Sequence, residues 1–247
     1  NGCCGNTRMH TLKTLRAVIN KAIKEKAASN NTYPFGKGGF EINKLAEETA
    51  KRYLLPTDLE LIKNSPQQNL VLERARRIYL FSYYCFGMSF VDMANLTINN
   101  IEMLVTGAHI VYKRQKTKNA KNVKPIKIFV TPAIKEQLEW FKANTPETGE
   151  YLLPIITKEY DGEQLYEHVR CRYKRINANL KKLGKALGIS LTLTTYTARH
   201  TMAMTLQGND IPREIISQAL GHSNLTTTAT YLAGFSTSVL DKVAKML

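Results

Sequence analysis

Apolar residues recur at helical spacing in the stretch 11–28, TLKTLRAVINKAIKEKAA, at Leu12, Leu15, Val18, Ile19, Ala22 and Ile23. That spacing predicts an amphipathic helix. NNTYPFGKGGF follows and reads as a loop, because Asn, Pro and Gly dominate it. KLAEETAKRYLLPTDLELIKNS crosses a linker near Lys51 and opens a new helix, with Thr57 as expected N-cap and Glu60 as its capping-box partner. NLVLERARRIYLFSYYCFG is apolar on most faces and predicts a long buried helix that stops at Gly87. Between Ile101 and Val130 the period changes. HIVYKRQKT and KPIKIFV alternate or are rich in β-branched residues, and the polar KNAKNV separates them, so a β-hairpin is expected. TPAIKEQLEWFKAN predicts a helix with Thr131 as N-cap and Pro132 at its first position. A basic helix covers 163–187 and ends at Gly188; short helices punctuated at Gly208, Pro212 and Gly221 follow. The expected fold class is mainly α with one small antiparallel β-sheet (α+β).

Charge changes this picture most. Lys and Arg number 35 against 20 Asp and Glu, a formal net charge of +15. A polyanionic partner is implied, most simply nucleic acid. The charge is also clustered: Gly107 to Lys127 holds seven Lys/Arg and no acid, and so does His168 to Lys185. Apolar runs are too short for a membrane span, and the first ten residues lack the apolar core of a secretory signal. The four cysteines have neither disulfide-framework nor zinc spacing and are expected as reduced thiols in the cytoplasm. P-loop, His-Glu-x-x-His and G-x-S-x-G patterns are missing, so no metal or cofactor is expected.

A basic protein of this kind can still cleave DNA through its own nucleophile, given a general acid and fixed cations around one phosphate. The C-terminal third offers such a set. Arg199, His222 and Tyr231 lie on three successive predicted short helices. Singly, each has an ordinary role: Tyr231 in the core, His222 bonding a helix end, Arg199 in an ion pair. Their joint spacing is what stands out.

T-A-R-H-T-x-A around Arg199, A-L-G-H-S at 219–223, and a tyrosine nine positions after His222 together resemble the tyrosine recombinases of the phage-integrase type. The resemblance extends to KRYLLPTDLELI, to YCFGMSFVDMANLTINNI and to the hairpin YKRQKTKN. It implies a catalytic domain over 53–247, preceded in 1–52 by part of a helical core-binding domain whose front is missing. It implies that Tyr231 attacks a DNA phosphodiester, leaving a 3′-phosphotyrosine and a free 5′-hydroxyl. Arg199 matches the second phosphate-clamping arginine, and His222 the phosphate-bonding histidine. Lys116 matches the general-acid lysine, with Lys118 as the neighbouring alternative, and Asp92 the acidic buttress.

Two departures stand against the family pattern. GMSFVD puts Ser89 where the first arginine normally stands, and Tyr196 replaces a histidine three before the second. A hydroxyl supplies no charge, and losing one preorganised stabiliser costs about 10²–10³ in rate. Arg114 lies two before Lys116, and strand alternation would put both on one face. Arg114 is therefore the candidate for the missing guanidinium. FGMSFVDM resembles the branch found in integrases of conjugative mobile elements, some of which carry serine at this place. Arg170, Arg172, Lys174 and Arg175 on the basic helix, with Lys113 and Lys118 on the hairpin, are candidate DNA contacts.

The last stretch, FSTSVLDKVAKML, repeats Val239, Val243 and Leu247 at i, i+4, i+8 beside Leu240. The resemblance implies that it docks into a neighbouring subunit of a homotetramer holding two duplexes and a Holliday junction, aided by a host DNA-bending protein near the nucleoid. Integration or excision of a mobile element is the implied function. A type IB topoisomerase shares the covalent chemistry, but size and the ALGHS spacing favour the recombinase. The other alternative is a DNA-binding relative that lost catalysis with its first arginine.

Overall fold

The computed structural model describes residues 2–47, 52–120, 123–146 and 149–221. The chain divides into two compact units, 1–51 and 52–247. In the first, helix α1 covers Gly5–Lys24, six residues earlier than the periodicity alone predicts. Asn6 starts it against a later segment: its amide donates to the Glu47 carbonyl (2.7 Å) and its carbonyl accepts the Glu47 N–H (3.1 Å). Short 3-10 turns at Asn30–Thr32 and Ile42–Leu45 follow. Phe35 and Ile42 are buried, while Leu15 and Val18 of the apolar stripe remain exposed.

The second unit is built around α3, Leu70–Tyr84. Asn69 caps it by accepting the N–H groups of Val71 and Leu72. Its Ile78, Tyr79, Leu80 and Phe81 are all buried. Against it pack α5 (Pro132–Asn144), α6 (Gly162–Ala186) and α7 (Thr195–Gly208). Among the described residues, α2 (Pro56–Asn64), α4 (Phe90–Ala94) and α8 (Arg213–Ala219) are the shorter helices. Thr131 caps α5 and Pro132 opens it, as its sequence predicts. The basic helix α6 ends before Gly188, which takes a positive φ of 69°.

Two expectations need correction. Thr57 is not the cap of α2: Pro56 occupies the first turn, Leu55 is the N-cap, and no side chain bonds the helix end. Proline's fixed φ starts the helix two residues earlier than a Thr57 cap would. The expected hairpin is a three-stranded antiparallel sheet, β1 (Ile101–Leu104), β2 (Gly107–Tyr112) and β3 (Ile126–Phe129), in the order β1-β2-β3. Pairing of β2 with β3 sets Ile110 opposite Ile128 and Tyr112 opposite Ile126. The second strand ends at Tyr112, so Lys113 to Lys116 lie beyond it, in a turn closed by the Thr117 N–H on the Arg114 carbonyl.

A buried charge cluster ties three helices together. Glu73 of α3 accepts from the Arg76 guanidinium at 2.6 and 2.7 Å, from Arg77 Nε at 2.7 Å and from the Gln67 N–H at 2.8 Å. Arg76 also donates to the Ile62 and Lys63 carbonyls at the end of α2, and Arg77 reaches Glu136 of α5. Burial alone would raise the Glu73 proton affinity, but the donors from Arg76, Gln67 and Arg77 outweigh it and hold the carboxyl below its ordinary range. Removing one member strands buried cations. Glu73→Ala is therefore expected to lower the unfolding free energy by about 3–5 kcal/mol in urea denaturation. A depressed folded-state value contributes stability above the unfolded value of ~4.3 and loses it as pH falls through the folded one. The wild type should thus lose more stability than Glu73→Ala across that acid range.

Candidate functional site

The turn after α3 is the first support of the site. Phe86 and Gly87 both take positive φ, 51° and 66°, and reverse the chain toward Ser89. Ser82 donates to the Met88 carbonyl (2.8 Å) and fixes the reversal. Ser89 then caps α4, accepting the Asp92 N–H (3.3 Å) and donating its hydroxyl to Asp92 Oδ2 (2.6 Å). Asp92 is only 3% exposed. Its other oxygen accepts the Gln115 N–H at 2.7 Å, which pulls the segment after β2 inward. Arg114 Nε lies 3.8 Å from Asp92 Oδ2.

Helix α7 supplies the second support. Thr194 and Thr197 close its first turn reciprocally, each hydroxyl accepting the other's N–H. Arg199, 6% exposed, donates Nη1 to the Gly87 carbonyl (2.9 Å) and Nη2 to the Leu220 carbonyl (2.6 Å). A Cβ on Gly87 would sit 2.6 Å from Arg199 Cα, so only glycine fits there. Arg114 Nη1 in turn donates to the Gly221 carbonyl (3.1 Å). The two arginines thus hold two successive carbonyls at the end of α8, immediately ahead of His222. Tyr196 lies one turn before Arg199, half exposed, its ring edge-on to His200 at 4.5 Å.

These groups open onto one cavity of about 710 Å³, lined among others by Ser89, Arg114, Lys116, Lys118, Tyr196 and Arg199. Asp92 lies beneath it. Arg114 and Lys116 share the cavity as the sequence suggests, but the inward turn brings them there, since strand alternation has ended by Tyr112. Helix α6 forms the opposite wall with Tyr166, Arg170 and Tyr173, and Phe90 of α4 meets Tyr173 edge-on at 5.5 Å. The cavity therefore mixes cations (Arg114, Lys116, Lys118, Arg170, Arg199) with aromatic rings (Phe90, Tyr166, Tyr173, Tyr196). It suits a phosphate joined to a flat organic group.

The basic helix does not act as one face. Arg170 lines this cavity, whereas Arg172 and Arg175 line a second concavity with Arg74. Lys113 and Lys174 are exposed and border neither. His222, Tyr231 and the apolar stripe from Val239 to Leu247 lie outside the described residues. Among the described residues, no three His, Cys, Asp or Glu side chains group as metal ligands, and no helix is long and apolar enough to cross a membrane.

Several contributors escape a reading of the sequence. Gln115 acts through its main chain, which leaves no side-chain signature. Tyr166 and Tyr173, seven apart on α6, carry a readable helical period that a charge count overlooks. Tyr112 lies at the end of β2 among the charged groups. Burial first, and the Asp92 charge second, push its phenol above the ordinary range against the pull of Arg199 and Arg114. Its hydroxyl is thus held more firmly in the neutral form than a free phenol.

Comparison with known proteins agrees with this geometry. The chain is 24% identical over 196 residues to a tyrosine recombinase of Pseudothermotoga lettingae, covering 79% of this chain and 60% of that protein. It is 21% identical over 228 residues to the tyrosine recombinase XerC of Halalkalibacterium halodurans, covering 92% and 70%. The fold resembles the Tn1549 transposon integrase in complex with a circular intermediate DNA, with a TM-score of 0.69 and 16% identity, over 100% of this chain and 81% of that one. A lambda integrase dimer bound to a core site matches with a TM-score of 0.55 and 17% identity, over 89% and 70%. The profile of the phage integrase family matches residues 52–236, all but the tail of the unit that holds the cavity, and the chain belongs to that family.

Proposed function

We propose that this chain is the catalytic portion of a site-specific DNA recombinase that integrates or excises a mobile element through a covalent 3′-phosphotyrosine. One observation carries this reading. Arg114, Lys116, Tyr196 and Arg199 meet at one cavity, and both arginines bond the carbonyls that directly precede His222 and the segment leading to Tyr231. DNA is present in the Tn1549 and lambda integrase structures that share this fold, which supports duplex DNA as the substrate here. Residues 1–52 then belong to a core-binding domain, and the apolar stripe after Ser238 serves assembly of a homotetramer on DNA.

The chemistry is a phosphoryl transfer without cofactor. Tyr231 Oη bonds to phosphorus and its proton passes to solvent. The P–O5′ bond breaks, and the Lys116 ammonium gives a proton to the leaving 5′-oxygen. Attack by a 5′-hydroxyl of a second strand reverses the step, so the number of phosphodiesters is unchanged and no ATP is consumed. Guanidinium groups offset the charge that gathers on the nonbridging oxygens. Arg199 supplies one. Arg114 supplies the second, in place of the arginine that Ser89 replaces; Asp92 aligns it as it would align the family's own arginine.

A nicked suicide duplex carrying the cognate site traps the covalent adduct. Wild type is expected to accumulate it and Tyr231→Phe to form none; a wild type that binds the site yet forms no adduct would identify a binding protein instead. Arg114→Ala should reduce adduct formation about 10²–10³-fold with binding nearly intact, and Arg114→Lys should recover part of the loss. Normal adduct formation by Arg114→Ala would remove Arg114 from the cradle. A substrate with sulfur in place of the bridging 5′-oxygen leaves without a proton, so it should restore cleavage to Lys116→Ala but not to Arg114→Ala.

A further inference from the structure

The second concavity, of about 370 Å³, lies between α3 and α6 and the Pro154–Ile155 segment. Three arginines line it: Arg74 from α3, Arg172 and Arg175 from α6. Among the described residues, no carboxylate does. Arg74 Nε is closed off from solvent and has no hydrogen-bond partner among the described residues. Arg172 Nη2 donates to Thr157 Oγ1 at 3.2 Å, while His168 Nε2 beside it is taken up by the Ile155 carbonyl at 2.9 Å, and no carboxylate among the described residues pairs with Arg172. The nearby ion pair of α6 goes to Arg170, on the other cavity, through Glu167 at 3.0 Å. The buried Asn179 amide completes the polar lining above the apolar Ile78 and Ile176.

Such an arrangement is unfavourable by itself. Burial first, and the neighbouring Arg172 charge second, depress the proton affinity of Arg74. A guanidinium remains charged regardless. Its buried donor costs the desolvation of an unmade hydrogen bond, and like charges side by side add to that cost. Elsewhere in the same helix the chain neutralises its arginines: Arg76 and Arg77, two and three residues beyond Arg74, both close on Glu73. No described residue supplies the counter-charge at Arg74, which leaves the site open to an anionic ligand.

We infer that Arg74, Arg172 and Arg175 form a phosphate-binding pocket separate from the cavity that holds Arg199. Three converging guanidiniums with no acid among them match a group that carries several oxygen acceptors and up to two charges. The phosphate is that of a DNA backbone or of a free phosphate or phosphomonoester. This inference does not depend on the reaction proposed for Tyr231.

Inorganic phosphate is the probe, titrated against the 247-residue chain at constant ionic strength with chloride as the balancing anion. Thermal unfolding reads the binding, because a ligand of the folded state raises Tm. Phosphate should raise Tm in the wild type and in Lys116→Ala, whose change lies in the other cavity. Arg74→Gln and the exposed Arg175→Gln should each weaken the response about tenfold. Arg175→Gln keeps the test valid if Arg74→Gln folds poorly. A response that neither arginine variant weakens, or that Lys116→Ala alone abolishes, overturns the pocket. An equal response to acetate or glutamate also overturns it, because the site would then be a carboxylate dock. Short duplex DNA separates the two sources. If the phosphate belongs to DNA, Arg175→Gln lowers the slope of log affinity against log salt by about 0.9 for each DNA phosphate it no longer neutralises; an unchanged slope with a lost phosphate response assigns free phosphate.

Discussion

The arrangement of the cavity depends on a single buried carboxylate. Asp92 receives a hydroxyl from Ser89 and an N–H from Gln115, and it stands within ion-pair distance of Arg114. Those groups come from a turn, a strand exit and the helix between them. A carboxylate at 3% exposure is tolerated only because donors surround it. Each donor is thereby fixed in turn. The segment after β2 has no ladder partner to hold it, so the Gln115 bond decides where Arg114 and Lys116 go. Without Asp92, the bond that carries Arg114 and Lys116 into the cavity is lost, though Arg114 keeps its bond to the Gly221 carbonyl.

Rigidity continues through the arginines themselves. Arg199 spans from the Gly87 carbonyl to the Leu220 carbonyl, and Arg114 takes the next one, Gly221. A guanidinium held at several donors has surrendered its rotamer entropy before any substrate arrives. Stabilising a transition state then requires little further reorganisation. The same bonds position the chain leading into His222. The cationic cradle and the chain entering His222 are thus built from shared contacts.

Much of this was legible from residue order. The helices α5 and α6 follow from their period, from Thr131 and Pro132 at one start, and from Gly188 past the other end. α3 is visible as a run apolar on most faces. β1 is not: four residues joined to β2 through Val105 and Thr106 give too short an alternation, and Met103 is exposed. The alternation that pairs Arg114 with Lys116 stops at Tyr112. They share a cavity through a hydrogen bond to a residue over twenty positions away, which no local period encodes. The division of α6 into two faces is likewise a tertiary fact. A count of Lys and Arg registers their sum, whereas burial against α3 decides which side each one serves.

Gly87 and Arg199 illustrate how such a site constrains its own variation. The glycine's hydrogen stands where any larger group would strike the arginine's main chain, and its carbonyl is one of the arginine's two described acceptors. Neither residue is independently adjustable. Substitutions at the two positions should not add, since the first already disrupts what the second would remove. Positions 87 and 199, more than a hundred residues apart in the chain, form one structural unit.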